Sequence, residues 1–165
     1  MLKDIRSSYI MLSPRMIELK MYRSFLIIPF VLFLVIYAAM FFNVENMDHI
    51  YFSMTRFYRA LITVSLITPL LLFLMRAVYM NTRVNKFITF VSLFVFAATL
   101  YCMRTQSFIN DRQYIEAMIP QHSSSIMISR QASIKNPKLK AVAETIIHLQ
   151  EQRIHEMQSI LKTMN

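Results

Sequence analysis

The sequence predicts an all-α protein in which three transmembrane helices are followed by an antiparallel helical hairpin. Three observations carry that prediction. The 165 residues are 56% hydrophobic, and the apolar ones gather in long blocks instead of recurring with a period of two. Within Ser24 to Phe42, Ala60 to Met75 and Phe87 to Met103 there is no Asp, Glu, Lys, Arg or His. Beyond Arg104 the pattern changes, and apolar residues fall at helical spacing.

A helix rises ~1.5 Å per residue, so ~20 residues cross the ~30 Å hydrocarbon core of a bilayer. The first block, 24–42, spans outright; the others are somewhat short and are predicted as about 60–80 and 87–104, with flanking arginines snorkelling to the surface. Pro29 and Pro69 are tolerable in spanning helices, where neighbouring helices and hydroxyl side chains satisfy freed carbonyls. The first block is longer than the apolar part of a signal peptide and has no small-x-small cleavage site, so it is expected to be retained. Cys102 is the single cysteine, which leaves no intrachain disulfide, and the absence of glycine predicts helix packing through Leu, Ile, Phe and Ala.

The net charge of +9 is distributed as membrane topology would distribute it. The N-terminal segment 1–23 carries Lys3, Arg6, Arg15, Lys20 and Arg23 against Asp4 and Glu18, and the second connection carries Arg76, Arg83 and Lys86. The first connection balances Arg56 and Arg59 with Glu45 and Asp48. By the positive-inside rule the N-terminus is cytoplasmic, and the 24–104 membrane domain delivers residues 105–165 to the outer side of a bacterial inner membrane. A basic cluster beside a membrane segment needs no nucleic acid to explain it; the partner it implies is the lipid bilayer.

In the C-terminal domain Ile115, Met118, Ile119, His122 and Ile126 share one face of a helix capped at Asn110 or Asp111 and ending near Ser133. Pro120 is expected to kink or break it. Asn136-Pro137 restarts a helix that runs to about Thr163, its apolar face reading Leu139, Val142, Ala143, Ile146, Gln150, Ile154, Met157 and Leu161. Pairing outward from the turn sets His122 level with Gln150 and Met118 level with Ile154. So short a hairpin has little core, and is expected either to pair with a second copy as a homo-oligomer or to lean on the membrane segments.

Met118 and His122, four residues apart, stack on one helix face, and Met157 approaches the same layer. A thioether beside an imidazole suits a soft ion such as Cu(I); the same spacing also serves core packing. His148 and His155 share another face with Glu144, Glu151 and Gln152, directed away from the seam. That face reads as a solvated polar stripe, with an inter-subunit metal or proton site as the alternative. There is no Gly-rich phosphate loop, CxxC pair or assignable Ser/His/Asp set, so the protein is not expected to be an enzyme.

The residues Asp111, Tyr114, Met118-Ile119-Pro120-Gln121-His122 and Ile126-Met127, with Ile146-Ile147-His148-Leu149-Gln150 and Ile154-His155-Glu156-Met157, resemble a bacterial ferritin-like family known as domain of unknown function 305. Its pattern is D-x-x-[FY]-x-x-x-M-I-P-H-H, an I-x-M segment, then I-I-x-x-Q with E-I-x-x-M. Phe57-Tyr58 and Met75-Arg76-Ala77-Val78-Tyr79 before Asn81 are similar to its multi-spanning subgroup, which extends the likeness over about Ala38 to Met164. The resemblance implies a ferritin-like domain, copper as cofactor outside the cytoplasm, and Met118, His122 and Met157 as candidate metal ligands. Two residues depart from the pattern: Gln121 replaces the first histidine of the pair, which makes it a doubtful ligand, and Arg153 replaces the glutamate. Losing a neutral donor and an anion while gaining a cation weakens a cation site. A dimetal oxidase is disfavoured because the inward Glu and Glu-x-x-His constellation is missing. The expected function is thus weak Cu(I) binding in copper handling or tolerance. The alternative is a structural or interaction module, without metal, that oligomerises through the hairpin.

Overall fold

The computed structural model describes residues 14–164, so Lys3, Asp4 and Arg6 of the basic N-terminal segment lie outside the described residues. Every regular element among the described residues is helical. Each apolar block falls largely in a helix, α1 (Pro14–Ala39, ending short of the expected 42), α2 (Met54–Leu74) and α3 (Thr82–Arg104), all long and apolar enough to cross a membrane.

The helices begin earlier than their apolar runs because polar caps, not hydropathy, set their ends. Ser53 Oγ accepts the Arg56 N–H, starting α2 at Met54 instead of near 60. The Asn81 side chain accepts from the Arg83 and Val84 N–H groups at 3.1 and 3.2 Å, starting α3 at Thr82 instead of 87. Between them the chain leaves the helix after Leu74, short of the expected 80, and turns through Met75, whose carbonyl accepts from Val78 and Tyr79. Tyr22 of α1 closes this turn. Its hydroxyl donates to Asn85 Oδ1 at 2.7 Å and accepts the Asn81 N–H at 3.2 Å, while Tyr79 packs its ring against Tyr22 and Phe25. α2 packs on both α1 and α3.

The link from α3 to the hairpin turns without glycine, through Gln106 and Phe108 at φ of 53° and 61°. Left-handed backbone costs a residue with a Cβ roughly 1–2 kcal/mol, and tertiary contacts hold it: Tyr58 of α2 donates its hydroxyl to Ser107 O at 2.7 Å.

α4 (Asp111–Gln131) and α5 (Pro137–Thr163) form the expected antiparallel hairpin. Asn110 caps the first by accepting the Gln113 N–H, and Asn136 caps the second by accepting from Lys138 and Leu139. α4 continues through Pro120 without the expected break, and ends at Gln131. The hairpin core is Ile115, Ile119, Ile126, Ile154 and Leu161, flanked by Ile147, Met157 and Tyr51. Tyr51 belongs to the first connection, which carries a 3-10 turn (Met47–His49) packed on α4. The hairpin therefore completes its core against the first connection and the start of α2. The expected apolar face of α5 needs one correction: Leu139 and Val142 are 54% and 52% exposed. The buried stripe is Ala143, Ile147, Ile154 and Leu161, rotated by roughly a quarter-turn from Leu139 and Val142 at 3.6 residues per turn.

Candidate functional site

The seam of the hairpin holds His122 and Met157 of the sequence-predicted ligands. His122 is half-buried, and its Nδ1 contacts the Gln150 amide oxygen, as the register predicted. That oxygen is an acceptor, so Nδ1 carries the proton and donates, leaving a lone pair on Nε2. Burial, and after it the Arg153 charge, push His122 below its ordinary pKa of 6.5, which keeps the ring neutral at neutral pH. Met118 is half-buried one turn earlier on α4, and Met157 packs against the isoleucine cluster.

The two substituted positions have separate surroundings. Arg153 is exposed and its Nη1 donates to Glu156 Oε2 at 2.7 Å, which together with Gln152 holds the Glu156 carboxyl below its usual range. Gln121 instead donates to Ala117 O at 3.1 Å and faces a cavity beside Arg56 and Arg59 at the start of α2. Arg153 thus acts on His122 through its field, while Gln121 belongs to a different surface. His148 is a solvated side chain, 85% exposed and 4.0 Å from Glu151. Among the described residues no three or more His, Cys, Asp and Glu side chains converge as a metal site, although that constellation does not include thioethers.

A second polar cluster joins the hairpin to the first connection, and it was not anticipated. Ser123 of α4 is fully buried; its Oγ accepts the Glu45 N–H and lies 2.8 Å from His49 Nδ1, to which the hydroxyl donates when that nitrogen is unprotonated. Burial, more than any neighbouring charge, lowers the His49 pKa below 6.5; Asp48 and Glu45 oppose this and His155 reinforces it. Arg130 ties three segments together by pairing with Glu45 and, at 2.8 Å, with Glu151 of α5. At the other end of α4, Gln113 Oε1 accepts the Met54 N–H at 2.9 Å. Glu45, His49 and Tyr51 lie in a connection that hydropathy assigns only to topology. The available signal was Ser123 itself, a hydroxyl between Ile119 and Ile126 that needs a partner from outside the hairpin.

Comparison with known proteins bears on the hairpin first. Residues 98–161 match the family described as Domain of unknown function (DUF305). A similar protein, the uncharacterized protein L153 of Acanthamoeba polyphaga mimivirus, is 36% identical over 107 residues, covering 64% of this chain and 68% of that protein. That alignment is longer than the matched domain, so the likeness extends beyond it. No solved structure matches. With the matched domain coinciding with the end of α3, both hairpin helices and the Met118 to His122 segment, the chain belongs to the family of the Domain of unknown function (DUF305).

Proposed function

We propose that this is a non-enzymatic membrane protein, N-terminus inside, whose hairpin domain lies outside the cytoplasm and binds Cu(I) weakly through Met118, His122 and Met157. The observation that carries the metal reading is the His122–Gln150 pair. It orients a neutral imidazole with Nε2 free to coordinate, as metal-binding histidines require. The thioethers of Met118, one turn before His122, and of Met157, beside the isoleucine cluster, would make the donor set soft. The positive field of Arg153 at His122 opposes an arriving cation and sets the affinity low.

Competition with a chromophoric Cu(I) chelator tests this on the detergent-purified protein. His122→Ala is expected to weaken Cu(I) binding at least ~10-fold, and Arg153→Glu to strengthen it by up to ~10-fold, about 1.4 kcal/mol. Equal affinity in the parent and His122→Ala would remove the metal reading. For the orientation, a reporter active only outside the cytoplasm, fused after Asn165, is expected to be active; an inactive but well-expressed fusion reverses it.

A second reading has its own support. Leu139, Val142, Leu149 and Ile160 are exposed along one flank of α5, a stripe suited to a second hairpin in a four-helix arrangement. A module of this kind is dimeric in detergent, becomes monomeric with Val142→Asp, and is indifferent to copper.

A further inference from the structure

Where the hairpin meets the helix bundle there is a cavity of about 260 Å³ with an unusual lining. Arg56 and Arg59 of α2 line it together with Asn43, Gln121 and Ser124, and no carboxylate contributes. Arg56 is only 7% exposed. Its Nη1 donates to Tyr51 O at 3.3 Å and its guanidinium lies 4.5 Å above the Phe41 ring, but among the described residues it pairs with no anion. A buried cation normally has a counter-ion, because desolvating it unpaired costs several kcal/mol. Here the charge that shares the cavity lining is another cation, Arg59, and the first turn of α2 holds no acidic residue to offset either.

We infer that this cavity is a binding site for a phosphate group, supplied by an anionic phospholipid headgroup. Planar guanidinium forks match phosphate oxygens, and the amides of Asn43 and Gln121 with the Ser124 hydroxyl supply neutral donors of the kind that complete such sites. At ~30 Å³ per water, the volume holds a phosphate with bridging waters. The level of the site selects the source. Met40, just past the end of α1, and the first two turns of α2 line it, so it opens where the apolar helices end and headgroups lie. The bound phosphate would neutralise Arg56 and fix the hairpin to the bilayer surface through Gln121 and Ser124.

The test is native mass spectrometry of the full-length protein in a neutral detergent, titrated with phosphatidylglycerol. Diacylglycerol serves as the phosphate-free probe and inorganic phosphate as the free-ion probe. The expected result is one saturable phosphatidylglycerol per chain, no retained diacylglycerol, and at least ~10-fold weaker retention in Arg59→Gln, an exposed position whose substitution leaves packing intact. Arg59→Lys, which keeps the charge but loses the fork, should fall between. Arg56→Gln should abolish binding if it folds. Competition by inorganic phosphate at millimolar concentration supports the phosphate site but reassigns its source to the free ion. Equal retention of phosphatidylglycerol by the parent and Arg59→Gln, or retention of diacylglycerol as well, overturns the proposal.

Discussion

A fragment consisting of residues 105–165 is expected not to fold as a stable monomer. About 60 residues at ~0.05–0.15 kcal/mol each give a total stability of only ~3–9 kcal/mol in the intact setting. Cutting the chain after Arg104 removes three supports at once. Tyr51 is lost from the isoleucine cluster, a burial worth ~2 kcal/mol for a large side chain. Ser123 loses both partners, each hydrogen bond worth a net ~0.5–1.5 kcal/mol. Arg130 loses Glu45 and keeps only the half-buried Glu151. Together these consume most of the stability, so circular dichroism should show a broad, non-cooperative melt, or light scattering a dimer that replaces the lost surface. Joining residues 40–54 to the fragment through a flexible linker should restore a cooperative transition. A fragment that melts cooperatively as a monomer on its own would show that the first connection is dispensable.

The reason this dependence escaped the sequence is physical. Hydropathy and helical periodicity report what each segment does with its own faces, and they located all five helices, the Asn110 and Asn136 caps and the level of His122 with Gln150. They carry no information on which polar side chains meet across a long separation. Glu45 and Asp48 entered as topological charges, yet Glu45 holds Arg130, and His49 docks on Ser123 from a position 74 residues away. The exposed Leu139 and Val142 show the converse limit. A helix with apolar residues on nearly half its circumference does not reveal which part of that arc faces its partner. At the site, register set His122 level with Gln150, but the sequence pattern could not say that Gln121 lines the cavity beside Arg56 and Arg59 while Arg153 is exposed and pairs with Glu156.

Ser123→Ala in the full-length protein is expected to destabilise the docked hairpin by about 2–3 kcal/mol and to change how its stability responds to pH. The first effect follows from leaving the Glu45 N–H and His49 Nδ1 buried without a partner. The second follows from the proton inventory. Ser123 Oγ accepts from Glu45 and has one proton of its own to place. A neutral His49 with Nδ1 unprotonated takes it, whereas a protonated ring can only donate to the same oxygen and leaves the hydroxyl proton without that acceptor. Burial depresses the folded-state pKa of His49, and of His122, below 6.5, so the unfolded chain binds more protons than the folded one in this range. Stability is therefore complete above about pH 6.5 and falls as the pH drops through the folded-state values. Protonated His49 would face Asp48 and Glu45, which soften the loss, and His155, which opposes a charge on it. Thermal midpoints in detergent should drop between about pH 7.5 and pH 5.5 in the parent, and less steeply in Ser123→Ala, where a neutral His49 no longer gains a hydrogen bond. His122→Ala should remove only the share contributed at the seam. An unchanged midpoint across that range in the parent, or the same slope in Ser123→Ala, would mean that the Ser123–His49 bond does not govern docking.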